Sequence, residues 1–151
     1  SMGWTHFCIC FNDHFLYMQL GDQPSVSTQP KHSFYGVEDA VILDCDYTYG
    51  NDTSGLMVKW FFKNKARPVY QWIVPQNPQD MGILRGRVDL TYRASNDPLK
   101  VHRALRIVKP NTDISGEYTC VVSTFMEEDS KTKEMIVFGE FIDRNVLYIS
   151  L

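Results

Sequence analysis

Two cysteines 75 positions apart, Cys45 and Cys120, with Trp60 between them, constrain this chain more than any other feature. Each of the three lies in or beside an apolar run of strand length. Cys45 closes Ala40-Val41-Ile42-Leu43-Asp44-Cys45, and Trp60 sits inside Leu56-Met57-Val58-Lys59-Trp60-Phe61-Phe62. Cys120 follows Asp113-Ile114-Ser115-Gly116-Glu117-Tyr118-Thr119 and leads into Val121-Val122, so that Tyr118 stands two residues before the second cysteine. Side chains alternate across a strand, which puts Val41, Leu43 and Cys45 on one face of the first run. In the second run the same period sets Met57 and Phe61 opposite Val58 and Trp60.

This Cys…Trp…Cys order, with its tyrosine, resembles the immunoglobulin superfamily from about His32 to Phe138. The resemblance implies an all-β fold, an immunoglobulin-like sandwich of two antiparallel sheets joined by a Cys45–Cys120 disulfide. Trp60 would pack on that bridge and Tyr118 would hydrogen-bond back at a strand corner. Tying off a loop of this length is worth about 4 kcal/mol in the chain-entropy account, and such a bond persists only in an oxidising compartment. The wide cysteine separation and the extra strand material after Trp60 match the variable type (V-set) rather than the shorter constant type.

On that template the strands are expected as follows. His32–Tyr35 is a first edge strand and Gly36–Asp39 a turn. Strand B is Ala40–Tyr47, strand C is Leu56–Phe62, and Val69–Val74 is the C′ strand that follows the basic turn Lys63–Pro68. Pro75–Gly86 is a long loop with room for a short C″ strand. Arg87–Tyr92 alternates as strand D, and Arg103–Val108 as strand E with Leu105 and Ile107 inward. Gly116–Thr124 is strand F, Phe125–Ser130 the F–G loop and Lys131–Phe138 strand G. Variable-type domains usually carry Asp six residues before the second cysteine, paired with an Arg opening strand D. Here Ile114 holds that place, with Asp113 one residue earlier and Arg87 opening the strand. The shifted acid leaves two alternatives, an Arg87–Asp113 bridge and an Ile114 that fills the lower core.

The domain organisation read from this pattern is an N-terminal extension over 1–31, the variable-type domain over 32–138, and a C-terminal extension or linker over 139–151. In the first of these, Trp4–Phe11 and Phe15–Leu20 are rich in large apolar side chains, and Gly21-Asp22-Gln23-Pro24 breaks the chain. An extra strand, a lid on an apolar surface and a tail are the three readings. So many large apolar groups argue for packing on the domain or on a second copy. His6, Cys8, Cys10 and His14 are possible zinc ligands by type, but their spacing is not that of a zinc finger. No metal site and no cofactor is expected.

The net charge of −3 gives no reason to expect a nucleic-acid or anionic-membrane partner. No run reaches the roughly 20 apolar residues of a membrane span. A basic start and an apolar core, the marks of a signal peptide, are not found at the N-terminus. Ser1-Met2 reads as a cloning remnant, with a native leader expected ahead of it. Asn51-Asp52-Thr53 is an N-glycosylation sequon in a polar loop. With the cysteine framework it gives an extracellular address, secreted or at the cell surface.

No nucleophile elbow, phosphate loop or metal motif is present, so no enzymatic activity is expected. His102 is read as a solvated residue on an edge strand. The expected function is binding of another protein, an immunoglobulin-type ectodomain or a second copy, through the sheet formed by strands G, F, C and C′. With Trp60 inward, Lys59 and Phe61 point out, and with Cys120 inward, Thr119 and Val121 do so. Tyr70 and Trp72 join them if the C′ strand turns that side outward. A secreted immune or ligand-binding module using its loop tips is the alternative. At closer range, Val58-Lys59-Trp60-Phe61-Phe62-Lys63, then Pro68-Val69-Tyr70-Gln71-Trp72 and the Pro-rich Pro75–Pro78, resemble arthropod neuronal surface proteins of the beaten-path type. That resemblance implies a receptor or ligand in neuronal recognition that binds partner immunoglobulin domains.

Overall fold

The structure, a computed structural model, describes residues 40–135, and the backbone alone of Gly3–Phe11, Phe138–Gly139 and Leu147–Tyr148. Among the described residues the strands are, in order, β1 (Gly3–Phe11), β2 (Ala40–Thr48), β3 (Met57–Phe62), β4 (Tyr70–Ile73), β5 (Gln79–Asp80), β6 (Leu105–Val108), β7 (Gly116–Ser123), β8 (Glu128–Met135), β9 (Phe138–Gly139) and β10 (Leu147–Tyr148). One sheet has the order β1-β2-β6 and the facing sheet β5-β4-β3-β7-β8; β9 and β10 pair as a separate ribbon. In sandwich letters these are A-B-E and C″-C′-C-F-G, and the C′ and C″ strands mark the variable type.

The core forms where the inner faces meet. Val41, Leu43, Cys45 and Tyr47 from β2 meet Val58, Trp60 and Phe62 from β3, and Tyr118, Cys120 and Val122 from β7. Cys45 and Cys120 are bonded, with their Cα atoms 6.6 Å apart. Trp60 is fully buried with them. The Tyr118 hydroxyl donates to the Ile114 carbonyl at 2.7 Å, and burial pushes that phenol's pKa up. A 3-10 turn over Thr112–Ile114 sets up this corner, opened by Asn111, whose side chain accepts the Thr112 N–H.

Both alternatives for the shifted acid are realised. Arg87 binds Asp113 through two nitrogens, at 2.6 and 2.9 Å, while Ile114 is fully buried. A 3-10 turn lets adjacent residues face in opposite directions, so one enters the core and the other reaches the arginine.

The expected strand D does not form. Between Arg87 and Tyr92 one bridge remains, Val88 opposite Ile107. Asp89 bends the chain there. Its carboxylate accepts the Thr91 N–H at 3.0 Å and the Thr91 hydroxyl at 2.6 Å, and Arg106 holds its other oxygen at 3.0 Å. A local side-chain bond of this kind competes with the ladder and turns the backbone. The segment then runs through turns to Arg103, and strand E shortens to Leu105–Val108.

β8 begins three residues earlier than the expected strand G, leaving a short tip. Thr124 accounts for the difference: its N–H donates to the Glu127 carbonyl at 2.8 Å, and its hydroxyl accepts the Glu127 N–H at 3.1 Å. Along β2, Gly3–Phe11 is paired antiparallel, with Phe7 opposite Cys45. The expected strand His32–Tyr35, the turn at Gly36–Asp39 and the run Phe15–Leu20 lie outside the described residues, as do the side chains of His6, Cys8, Cys10 and His14.

Candidate interaction surfaces

Cross-strand partners share a face, so the pairing of β3 with its neighbours decides what the five-stranded sheet shows to solvent. Trp60 lies opposite Cys120 on one side and Tyr70 on the other, and Val58 lies opposite Val122 and Trp72. All six point into the core. The outward rows are the remaining ones. Met57 aligns with Ser123 and Ile73, and Lys59 with Val121 and Gln71. Phe61 aligns with Thr119, whose hydroxyl meets that of Thr132 at 2.8 Å.

Lys59, Phe61, Thr119 and Val121 therefore sit together on the outer face, each half-buried. Tyr70 and Trp72 do not. They are 2% and 1% exposed and belong to the core. The reason is their polar ends as much as their rings. The Tyr70 hydroxyl donates to the His102 carbonyl at 2.7 Å and the Trp72 indole to the Gln76 carbonyl at 2.9 Å. Buried aromatics of this type need such partners. His102 is correspondingly not a solvated edge residue. Its ring stands edge-on to Trp72 at 5.5 Å, and its Nδ1 pairs with the Tyr92 carbonyl at 2.9 Å. Met57, Gln71 and Ile73 take the outward places on the sheet. Gln71 and Ile73 were legible only through the register that sets Tyr70 opposite Trp60, whereas Met57 followed from the parity of its own strand.

The outward carboxylates of β2 carry an ionic network. Arg103 binds Asp44 through Nε at 2.8 Å and Nη2 at 3.0 Å, and reaches Asp46 at 3.0 Å; Lys100 also binds Asp46, at 2.9 Å. Tyr49 donates to Asp97 at 2.7 Å, a bond that raises the phenol's pKa. These pairings tie residues 97–103 to β2 and consume the charges on one another.

A second exposed feature lies at the end of the sandwich where the B–C and F–G loops meet. Phe125 and Met126 are 81% and 76% exposed, far more than any outward apolar residue of the sheet. The Phe125 N–H donates to the Ser54 carbonyl at 3.0 Å, and its ring lies over Gly55. Asn51 is exposed in the same B–C loop. Among the described residues no three His, Cys, Asp or Glu side chains are grouped to hold a metal ion. None of the described helices is long and apolar enough to cross a membrane.

Solved structures are similar to this chain. The IgV-like domain of human B7-H4 aligns with a TM-score of 0.54 at 12% identity, over 89% of this chain and 93% of that one. An amphioxus IgVJ-C2 molecule aligns with a TM-score of 0.45 at 17% identity, over 76% of this chain and 52% of that one. At 12% identity the likeness to the B7-H4 domain is one of fold. No curated protein matches the sequence, and the comparisons add nothing to the narrower beaten-path resemblance. The immunoglobulin domain model matches residues 35–133. With the bonded Cys45–Cys120 pair, the buried Trp60 and the tyrosine corner in place, the chain belongs to the immunoglobulin domain family, with a fold of the variable type.

Proposed function

We propose that this domain is an extracellular recognition module that binds another protein through the outer face of its five-stranded sheet. The observation that carries this reading is the adjacency of Phe61, Val121, Met57 and Ile73 on paired strands around Lys59. Aromatic and Met side chains are enriched at protein–protein interfaces relative to the rest of the surface, and here Phe61 and Met57 flank Lys59 on one strand face. Lys59 would steer partner choice more than it would add affinity. A role in neuronal recognition rests on the short beaten-path-like motifs alone. The partner class is a second immunoglobulin-type ectodomain or another copy of this chain.

The test is a binding screen against extracellular domains, this one included, using the parent, Phe61→Ala, Val121→Ala and the double variant that combines them. Truncating a hot-spot side chain costs about 2 kcal/mol or more, roughly a thirtyfold loss of affinity. Unchanged melting curves in both variants keep the comparison honest to the surface. Partners that bind the double variant as tightly as the parent would remove the sheet face from consideration. The exposed Phe125–Met126 tip favours a second reading, docking by the loop end. It predicts that Phe125→Ala, and not Phe61→Ala, abolishes binding.

A further inference from the structure

We propose that Asn51 is an N-glycosylation site whose oligosaccharide covers the Phe125–Met126 tip, leaving the sheet face as the surface open to a protein partner. This rests on the extracellular reading above, because the transferase that recognises Asn-X-Thr works in the secretory compartment.

Three observations carry it. Asn51 is exposed in a bend of the loop joining β2 to β3, and its amide makes no hydrogen bond to a described residue. Asp52, the middle residue of the sequon, is engaged by Ser54. Its carboxylate accepts the Ser54 N–H at 3.0 Å, and hydrogen bonds from the Ser54 side chain and then its N–H hold its pKa below the usual carboxylate range. The same loop carries the tip: Ser54, three residues on, accepts the Phe125 N–H at 3.0 Å, and the Phe125 ring lies on Gly55. Three residues of chain span at most about 11 Å, so a branched oligosaccharide on Asn51 starts within reach of the ring. An aromatic ring and a methionine left 81% and 76% exposed are a solvation liability on a secreted domain. The apolar face of a sugar ring is a chemically suitable cover for both.

The modification itself is a group transfer. A bond forms between Asn51 Nδ2 and the anomeric carbon of an oligosaccharide carried on a lipid diphosphate. The bond from that carbon to the phosphate oxygen breaks, the lipid diphosphate leaves, and the amide gives up one proton.

The experiment uses the full chain secreted from a eukaryotic host, as the parent, Asn51→Gln and Thr53→Ala. The parent is expected to show added mass at the Asn51 peptide. Peptide N-glycosidase should remove that mass and leave Asp at position 51. Both variants should lack it. Dilute peroxide should then oxidise Met126 several-fold more slowly in the glycosylated parent than in either variant or in the enzymatically deglycosylated parent. A secreted, disulfide-bonded parent without added mass overturns the modification and leaves the extracellular reading standing. A chain retained in the cell with Cys45 and Cys120 reduced overturns that reading too. Added mass with equal oxidation rates in all forms overturns the cover. Agreement between Asn51→Gln and Thr53→Ala excludes a local effect of either substitution on the loop.

Discussion

The indole N–H of Trp60 donates to the main-chain carbonyl of Arg103 at 3.0 Å. Two other inward aromatics do the same within a few residues: Tyr70 to His102 at 2.7 Å, and Tyr47 to Leu99. Three buried rings, drawn from both sheets, thus hold the irregular stretch 99–103 that leads into the shortened strand E. Each ring supplies apolar area to the core and one donor to a main-chain carbonyl outside the strand ladders.

Tyr70→Phe removes one of those donors and leaves the His102 carbonyl short of a partner. A cost of about 1–2 kcal/mol is expected, read as a lower melting temperature in a circular dichroism scan. Trp72→Ala empties a core site and is expected to cost about 3–5 kcal/mol. Both effects are on folding. Variants that melt like the parent yet lose partner binding would contradict the burial of these rings.

Replacing Cys45 and Cys120 with alanine should lower stability by about 4 kcal/mol, the chain-entropy worth of a loop of this length. That is a large share of the roughly 5–15 kcal/mol typical of a domain. The checks are the urea midpoint and non-reducing peptide mapping, which should recover the two cysteines in one linked peptide. Two free thiols in secreted protein would refute the bridge.

Acid should weaken the fold through Asp113, whose carboxyl is held below the usual range chiefly by its hydrogen bond from Arg87. Asp89 is lowered by Thr91, and Asp97 by the Leu99 N–H. A folded-state value below the unfolded one means the stabilisation is present above about pH 4 and is lost as pH falls through the folded value. Asp113 is half exposed, so solvent screening keeps its share under about 1 kcal/mol. Asp113→Asn should therefore cost little at neutral pH and make the fall in melting temperature between about pH 4 and pH 2 shallower. An unchanged slope would show that the pair is not linked to folding.

Gly55 has φ +73°, and a Cβ built there would lie 2.7 Å from Cζ of Phe125. Gly55→Ala should cost about 1–2 kcal/mol for the left-handed backbone alone, and it should also push the Phe125 ring off the loop. The measurement is a thermal melt together with the methyl resonance of Met126, which is expected to shift as the tip moves. A variant with the parent's melt and spectrum would mean that the ring does not rest on Gly55.

How much of this could be read without coordinates differs from residue to residue. Cys45, Trp60, Tyr118 and Cys120 were legible because their spacing is tied to one way of packing two sheets. The outward sides of β3 and β7 were legible from strand parity alone, since each run has an anchor residue that must face in. Asn51 was readable as a sequon, and its exposure followed from the polar loop around it. Val69-Tyr70-Gln71-Trp72-Ile73-Val74 has apolar groups in both phases of a period of two, so its sequence does not say which side is buried. Only the register of Tyr70 against Trp60, and the carbonyls of Gln76 and His102 waiting for donors, turned it inward. Arg87–Tyr92 alternates like a strand, but a strand needs a partner along its length. The bonds from Asp89 to Thr91 and Arg106 outcompete that pairing after a single bridge. Local pattern was therefore enough wherever one residue's burial was dictated by covalent or steric necessity. Where the local pattern allowed two arrangements, contacts between residues far apart in the chain made the choice.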